Sequence, residues 1–554
     1  MQGTYVPPLA CDEGMNTPTP TRLRYVYLPL AGVFAILGLT LASERLWGLL
    51  VNSLLLAMGT LVIALPVGTF LAVVIAKTTL PGHRFLQRLL LATLFVPLLV
   101  QATAWQAALG VGGWLLPEDS FGSQGFLFGG WLGAIWVHAL AAIPWVALIV
   151  AAALRSIPRE LEEESLQDAP AWRVLLSVSL PHAAAGFLAA AIWIAILCFT
   201  EITVTDLFQV RTFAEEVYTS ASIGALVFDG SMAGGEGEQL ELRRTDLVAG
   251  SLLALVLAMS VLGVLARRLS DGNWMSADAS WQWQLRGARI PVEFCTWLLV
   301  AVVVGIPLVS LVGKAGAVTS RTPAGAVRQW SAFKTCQMVL RSPVEHRREL
   351  GWSGAIGGTA ALLATGVGVL LAWVLRIKRG SRWPITALLV LALIIPGPVM
   401  GVWLIGLLNH AADSPLAWLN WWYDNTILAP VLAQFIKALP LATLVVWSQF
   451  VGISQLELDT AATDGANGWQ QLIYIAIPGH WPAIAAAFCL ALIVAVGELA
   501  ATLLVVPPGV STLSIRIFGL VHYGAEDRVS AAALMLALVT GSLASWALSN
   551  KASK

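Results

Sequence analysis

The sequence contains few charged residues. Only 12% of its 554 residues are Asp, Glu, Lys or Arg, about half the fraction found in ordinary soluble domains. Its mean hydropathy is +0.78. So little polar surface excludes a soluble enzyme, a disordered regulator and a secreted disulfide scaffold. Lys plus Arg and Asp plus Glu number 32 each, so no basic field indicates a nucleic-acid partner. The composition predicts a polytopic membrane protein.

Metal-binding and catalytic signatures are also missing. The five cysteines form no CxxC pair and the seven histidines are dispersed, so we predict no metal site and interpret the cysteines as packing residues. The chain has no GxxxxGK[ST] motif, since Gly313-Lys314 is followed by Ala315. It also has no HExxH and no nucleophile elbow. We therefore predict no catalytic residue and no cofactor, and energy from ATP would require a separate partner.

Long apolar runs dominate the chain. A helix needs about 20 apolar residues to cross the hydrocarbon core, and twelve candidate runs occur. They lie near 24–42, 50–76, 86–110, 127–154, 183–200, 246–267, 292–313, 353–375, 385–409, 428–451, 482–506 and 528–548. The fold class predicted is an all-α polytopic membrane protein with about 12 transmembrane helices. The polar segment 1–22 precedes them and lacks the features of a signal peptide.

The two halves of the chain repeat one pattern. Four landmarks recur 297 residues apart: Trp172 with Trp469, Pro181 with Pro478, Glu201 with Glu498, and Thr205 with Thr502. This common offset predicts a tandem duplication, with six-span repeats at 23–290 and 291–554. An even number of spans gives both copies the same topology, so the repeats would be parallel and would enclose a path at their interface.

A matched loop follows the fourth span of each repeat, at 160–182 and 457–479. Each loop has the composition of a short helix, a turn and an amphipathic helix that begins near the tryptophan. Gly465 is expected to take a left-handed cap conformation. Asp168 occupies the same position in the first copy, and Asp tolerates that conformation better than most residues. Pro181 and Pro478 are expected to end the amphipathic helices.

These loops resemble the EAA loop of permease subunits of binding-protein-dependent ABC importers, whose pattern is roughly Glu-Ala-Ala, then Gly, then a helix ending in Leu-Pro. The positions that fit the pattern are Glu162, Asp168, Ala169, Trp172 and Pro181 in the first copy, and Asp459, Ala461, Asp464, Gly465, Ala466, Trp469 and Pro478 in the second. The first copy departs from the pattern, because Glu163 and Glu164 replace both alanines. The alternative is an amphipathic helix that lies on the membrane surface.

The resemblance implies partners and a location. Two cytoplasmic ABC ATPase subunits would dock on the loops, and a periplasmic or extracellular solute-binding protein would deliver the ligand. The protein would lie in the bilayer of the bacterial cytoplasmic (inner) membrane with both termini cytoplasmic, and a weak excess of Lys and Arg on that side agrees.

The stretch from Gly497 to Gly524 resembles the fused, two-half permeases of the ferric-iron uptake group, which have thiamine permeases as relatives. This resemblance implies ferric iron as the solute. Thiamine or another small solute, an ion-coupled secondary transporter and a membrane scaffold are the alternatives.

Polar residues inside the spans are candidates for a translocation pathway. Glu201 and Glu498 are expected towards the outer end of the fifth spans, with Thr205 and Thr502 close by in sequence. They would line the pathway or, alternatively, form ion pairs that stiffen the ends of the spans. Lys437 lies near the middle of a fourth span, where it would pair with Glu498 or meet an anionic ligand.

Overall fold

The computed structural model describes most of the chain between residues 32 and 549. The described ranges are 32–33, 35–94, 96–110, 113–115, 129–223, 245–257, 281–284, 286–322, 325–377, 382–523 and 526–549. The predicted polar tail at 1–22 lies outside them.

The first half of the described chain is helical. After helical residues 35–41 come α1 Glu44–Lys77, α2 His83–Thr93, α3 Leu98–Leu109, α4 Gly130–Arg155, α5 Arg159–Asp168, α6 Ala171–His182, α7 Ala184–Thr200, α8 Thr203–Leu207, α9 Phe213–Ser222 and α10 Thr245–Leu257. α1 begins at a cap in which the Ser43 side chain accepts from the backbone N–H of Leu46, the bond that Ser commonly makes at helix starts.

The second half repeats the helical pattern and adds a hairpin after its first helix. Its helices are α11 Arg289–Ala315, α12 Ala332–Glu345, α13 Arg347–Ile377, α14 Arg382–Ile394, α15 Gly397–Leu408, α16 Trp418–Asn425, α17 Leu428–Phe450, α18 Gln455–Thr463, α19 Gly468–Gly479, α20 Trp481–Gly497, α21 Thr502–Val505, α22 Leu513–His522 and α23 Glu526–Ser549. The hairpin pairs β1 Ala317–Thr322 antiparallel with β2 Gly325–Trp330.

Six described helices are long and apolar enough to cross a membrane, namely α1, α4, α11, α13, α17 and α23. Four bent pairs, α2 with α3, α6 with α7, α14 with α15 and α19 with α20, raise the number of spans in the described residues to ten. The predicted runs at 24–42 and 246–267 lie partly outside the described residues. The helices confirm the predicted all-α membrane fold.

Matched prolines break the third span of each half. Pro97 precedes α3 with φ −55° and ψ 142°, and Pro396 precedes α15 with φ −57° and ψ 142°. An extended ψ at each proline interrupts the helical path, and α14 and α15 meet at 107°. The runs predicted at 86–110 and 385–409 are therefore bent rather than continuous.

The second helix of each broken span packs against the other half. In the first half, Leu99 of α3 packs in a core with Ile517 of α22 and with α23. In the second half, Val402 of α15 packs in a core with Phe213 of α9 and with α1. Each half therefore completes a core of the other, and the space between the halves is enclosed by both.

Candidate coupling loops and translocation pathway

The first candidate loop, residues 159–182, joins α4 to α7 as a helix, a turn and a second helix. Asp168 is the last residue of α5, and the chain passes through extended Ala169 (φ −142°) into Pro170. The prediction that Asp168 is left-handed is wrong. Among the described non-glycine residues, only Gln209 has a positive φ. Pro170 explains the difference. A proline disfavours the helical region for the residue before it, and here that residue, Ala169, is extended directly after Asp168.

The second candidate loop, residues 455–479, turns as predicted. Gly465 has φ +91°, and a Cβ added there would meet no atom within 4 Å. The backbone conformation, rather than crowding, therefore favours glycine. α19 begins at a capping box in which Asn467 Oδ1 accepts from Gln470 N at 3.0 Å and Gln470 Oε1 accepts from Asn467 N at 2.8 Å.

The remaining predicted residues of the second loop form its turn and its exposed edge. Asp464 follows α18 directly, and the backbone N–H of Ala466 donates to the carbonyl of Ala461 at 2.9 Å, which closes the turn. Asp459 is exposed and accepts from Gln455 Nε2 at 2.9 Å. The predicted acid of this loop therefore faces solvent.

Each amphipathic helix contains a π-helical turn just before its proline. The turns are Leu175–Ser179 and Leu472–Ala476, which are matched in the two copies. A proline has no N–H and its ring clashes with the carbonyl four residues earlier, and a widened turn relieves that clash. The helices end one residue beyond Pro181 and Pro478 and bend by 62° and 81° into α7 and α20.

The apolar residues of α19 divide between two sides of the helix. Leu472 and Ala476 are buried in a core with α13 and α17. Trp469 is 64% exposed and Ile473 is 52% exposed. The apolar side chains of this amphipathic helix are therefore only partly covered by the rest of the chain.

Exposed apolar side chains form a patch on each loop. Loop surface 1 consists of Trp172 and Leu176, and loop surface 2 consists of Leu456, Trp469, Ile473 and Tyr474. Trp172 is 58% exposed, with the guanidinium carbon of Arg173 at 5.2 Å from its ring. Trp172 and Leu176 are four residues apart on one helix, as are Trp469 and Ile473, and neighbouring exposed apolar groups are typical of interaction sites.

The acid of the first loop, Glu162, points into the protein. Its Oε2 accepts from Lys77 Nζ at 2.7 Å and its Oε1 accepts from Ser179 Oγ at 2.7 Å. The Lys77 and Glu162 side chains are 0% and 1% exposed. Sequence reasoning missed Lys77 and Ser179, since Lys77 is 85 residues from its partner. The only signal was a lysine at the end of an apolar run.

Different contacts attach the second loop to its neighbouring span. Arg376 Nε donates to the carbonyl of Phe450 at 3.2 Å, and its Nη2 donates to Gln455 Oε1 at 3.2 Å. Trp373 Nε1 donates to the carbonyl of Gly468 at 3.0 Å. Two side chains of α13 therefore hold both helices of the second loop.

The matched glutamates occupy equivalent helix starts. The Glu201 carboxylate accepts from the N–H groups of Thr203 at 2.6 Å and Val204 at 3.0 Å. The Glu498 carboxylate accepts from the N–H of Thr502 at 3.0 Å and from its hydroxyl. A carboxylate stabilises a helix start through such bonds. These bonds give both carboxylates a capping role, which differs from the ion pairs considered from the sequence.

The other predicted pathway residues have partners within the protein. Thr205 and Thr502 are fully buried, and Thr502 Oγ1 accepts from Gln434 Nε2 at 3.3 Å. Lys437 Nζ donates to the carbonyl of Ile395, at the break between α14 and α15. That carbonyl belongs to the last turn of a broken span, so Lys437 supplies a donor that the interrupted helix lacks.

A cavity of about 230 Å³ lies between the two halves. Its polar side chains come from the first half and include Thr60, Gln101, His138 and Cys198. The second half contributes apolar side chains, such as Leu441 and Ile493, and the backbone of Gly497. His138 Nε2 is 3.6 Å from Glu201 Oε2. Sequence reasoning missed this set because its members lie on separate elements.

Charged side chains form a cluster at the opposite end of α1 from the loops. This far-end cluster consists of Arg45, Asp206, Arg211, Glu215, Glu216 and His522. Glu216 lies 2.7 Å from Arg45 Nη2 and 3.1 Å from Arg211 Nη1. Burial raises the pKa of Asp206, and the adjacent His522 opposes that rise. In the described chain, no three His, Cys, Asp or Glu residues are grouped to hold a metal ion.

The chain is similar to known permeases. An Fe(3+)-transport system permease protein, FbpB 2 of Haemophilus influenzae, is 22% identical over an alignment of 542 positions that covers 94% of each chain. A putative 2-aminoethylphosphonate transport system permease protein, PhnV of Salmonella typhimurium, is 26% identical over 38% of this chain and 78% of its own. A trehalose transport system permease protein, SugB of Mycobacterium tuberculosis, is 25% identical over 40% of this chain and 73% of its own.

Two segments of the chain, residues 64–272 and 364–549, match the same family. Each match includes one candidate loop and one of the matched glutamates, so the duplication inferred from the sequence is a duplication of the family's domain. The chain belongs to the family described as binding-protein-dependent transport system inner membrane component, and it is an inner-membrane permease of ABC transport.

Proposed function

We propose that this permease moves ferric iron across the inner membrane. The observation that supports iron is the extent of the match to the Fe(3+) permease, which spans 94% of both chains. The phosphonate and trehalose permeases match 38% and 40% of this chain. Iron is the substrate in transit, and a path must bind its cargo weakly enough to release it.

We further propose that two cytoplasmic ATPase subunits dock on loop surfaces 1 and 2. Both surfaces expose a matched tryptophan, and aromatic side chains are common anchors at protein interfaces. Closure of the ATPase subunits would bring the loops together and change the access to the cavity. The coupling residues are those of the two loops: Glu162, Asp168, Ala169, Trp172, Pro181, Asp459, Ala461, Asp464, Gly465, Ala466, Trp469 and Pro478.

The proposal also orients the chain. Both termini would be cytoplasmic, and a solute-binding protein would approach from the side of the far-end cluster. The repeats would span 23–290 and 291–554. Glu201, Thr205, Lys437, Glu498 and Thr502 would shape the translocation pathway through the short helices and the break that they stabilise.

Co-purification tests the coupling surfaces. Wild-type protein is expected to retain a nucleotide-binding subunit after gentle extraction, and the double variant Trp172→Ala/Trp469→Ala is expected to lose it. Trp403→Ala/Trp418→Ala is the control, because these tryptophans are similarly exposed at sites away from the loops. Equal recovery with all three proteins would contradict docking at the loop surfaces.

Uptake of radioactive solutes tests the cargo. Cells that express the complete transporter are expected to accumulate ferric citrate in an ATP-dependent manner, and cells with the Trp172→Ala/Trp469→Ala variant are not. Thiamine and 2-aminoethylphosphonate are measured in the same cells. ATP-dependent accumulation of either one without iron would replace the assignment of the cargo while leaving the coupling proposal intact.

A further inference from the structure

The buried contact between Lys77 and Glu162 joins a candidate coupling loop to a span that passes the cavity. We propose that Lys77, Glu162 and Ser179 are positioning residues that make the first loop and α1 move as one body. Glu162 lies on α5, Ser179 on α6 and Lys77 at the end of α1, so one carboxylate binds all three elements. This inference rests on the proposed coupling function.

Burial makes this contact well suited to transmit movement. The Lys77 and Glu162 side chains are excluded from solvent, and both oxygens of the carboxylate are bonded at 2.7 Å. A buried charge that loses its partner is strongly unfavourable. Displacement of the loop without α1 would leave both charges buried and unpaired, so α1 is expected to follow the loop.

α1 extends from the first loop past the cavity to the far-end cluster. Thr60 lines the cavity between the halves. Ser53 Oγ accepts from the first N–H of α9, at Phe213, at 3.2 Å. Arg45 belongs to the far-end cluster through its bond to Glu216. A shift of α1 along or across the membrane therefore reaches the cavity and the far end together.

The contact is specific to the first half. Ser53 and Ser353 make the same bond to α9 and α22 and are 300 residues apart, so Ile377 corresponds to Lys77. Ala476 corresponds to Ser179. The second loop lacks the polar contact, and Ile377 instead lies 3.8 Å from a Cβ built at Gly468. The two loops are therefore attached to their spans by different chemistry.

The segment that leads into the second half also meets the end of α1. Trp283 N donates to the carbonyl of Lys77 at 2.7 Å, and Thr79 N donates to the carbonyl of Trp283 at 3.2 Å. Both bonds involve backbone atoms beside the Lys77 side chain. Movement of the first loop is thus passed to α1 and to the start of the second half at the same point.

Distance measurements between spin labels test this inference without a known solute. Ile223 and Tyr523 are suitable label sites, because they are matched, 72% and 84% exposed, and follow α9 and α22. Cysteines are introduced at both sites after Cys11, Cys295 and Cys336 are replaced by serine. The complex with its ATPase subunits is measured with and without ATP and vanadate.

The informative variant is Lys77→Met/Glu162→Gln, which removes both charges at similar side-chain volume. Within the assembled complex, we expect this variant to populate the ATP-induced distance about fivefold less than wild type, since couplings between sites are commonly of this size or larger. Ile377→Met introduces the same residue at the matched position and is expected to retain the full change. Assembly and thermal unfolding are measured for each variant, which separates coupling from folding.

Three outcomes are distinguishable. A full ATP-induced change in Lys77→Met/Glu162→Gln would overturn the positioning role while the proposed function stands. The absence of a change in wild-type complex would instead count against the proposed function. Should the double variant fail to fold, Ser179→Ala removes one bond and leaves the ion pair, and an unchanged response there would also contradict the inference.

Discussion

Asp206 Oδ2 lies 3.1 Å from His522 Nε2, and this pair joins α8 of the first half to α22 of the second. Burial raises the pKa of Asp206 above its ordinary value, while His522 and Arg211 act in the opposite direction. Glu215 and Tyr218 lie close by, and burial, together with the charge of Asp206, raises the pKa of the Tyr218 hydroxyl. The interface between the halves is therefore sensitive to the charge at Asp206.

We expect Asp206→Asn to become more stable relative to wild type as the pH rises. The folded protein holds the Asp206 proton to a higher pH than the unfolded chain, so ionisation lowers the free energy of unfolding. Thermal unfolding in detergent, followed upward from about pH 4, the ordinary range of an Asp carboxyl, measures the difference. Asp413→Asn, at an exposed site, is the control and is expected to show no trend.

Gly465→Ala tests the turn of the second loop. A left-handed conformation costs an L-residue roughly 1–2 kcal/mol, and Gly465 has φ +91°. Since open space surrounds it, strain in the backbone is the main effect. We expect about tenfold weaker association with the ATPase, the equivalent of 1.4 kcal/mol.

Gly358→Ala is the matched control for Gly465→Ala. A Cβ at Gly358 also meets nothing within 4 Å, but this glycine lies in α13 and has no positive φ. Its replacement by alanine is expected to leave ATPase association unchanged. Wild-type affinity in Gly465→Ala would mean that the turn is not required for docking.

Gly397→Ala tests the close packing at the start of α15. A Cβ at this position would lie 2.5 Å from the Cβ of Ala500 and 3.0 Å from the backbone N of Ala501. Overpacking of this kind costs about 1–3 kcal/mol, so the thermal midpoint is expected to fall. Gly406→Ala on the same helix meets open space and is expected to be neutral. Equal thermal midpoints for both variants would show that Ala500 and Ala501 can move away from the added Cβ without loss of stability.

The sequence predicted features that depend on local chemistry. The apolar runs predicted the membrane fold because length and hydropathy suffice to identify spans. The left-handed turn at Gly465 followed from a glycine placed after a helical run. The prediction of a left-handed Asp168 was wrong for an equally local reason, because Pro170 makes Ala169 extended and the helix ends at Asp168. Here the effect of the proline outweighs the tolerance of Asp for the left-handed region.

Features that depend on packing between distant elements were not predictable. The buried partner of Glu162 became visible only when α1 and α5 were placed together. The bends at Pro97 and Pro396 were also missed. Hydropathy identifies an apolar run but does not show whether the helix changes direction within it. The cavity depends on side chains from separate helices, and no spacing in the sequence marks them.

Glu201→Gln and Glu498→Gln separate the two roles considered for these glutamates. The Glu498 carboxylate accepts three bonds, from the N–H of Ala501 and from the N–H and hydroxyl of Thr502. The amide nitrogen of glutamine cannot accept, so at least one donor loses its partner, at a cost of about 1–3 kcal/mol. A capping role therefore predicts a lower thermal midpoint for both variants, whereas Glu345→Gln at an exposed site is expected to be neutral. An unchanged midpoint together with reduced uptake of ferric citrate would instead assign the carboxylates to the path.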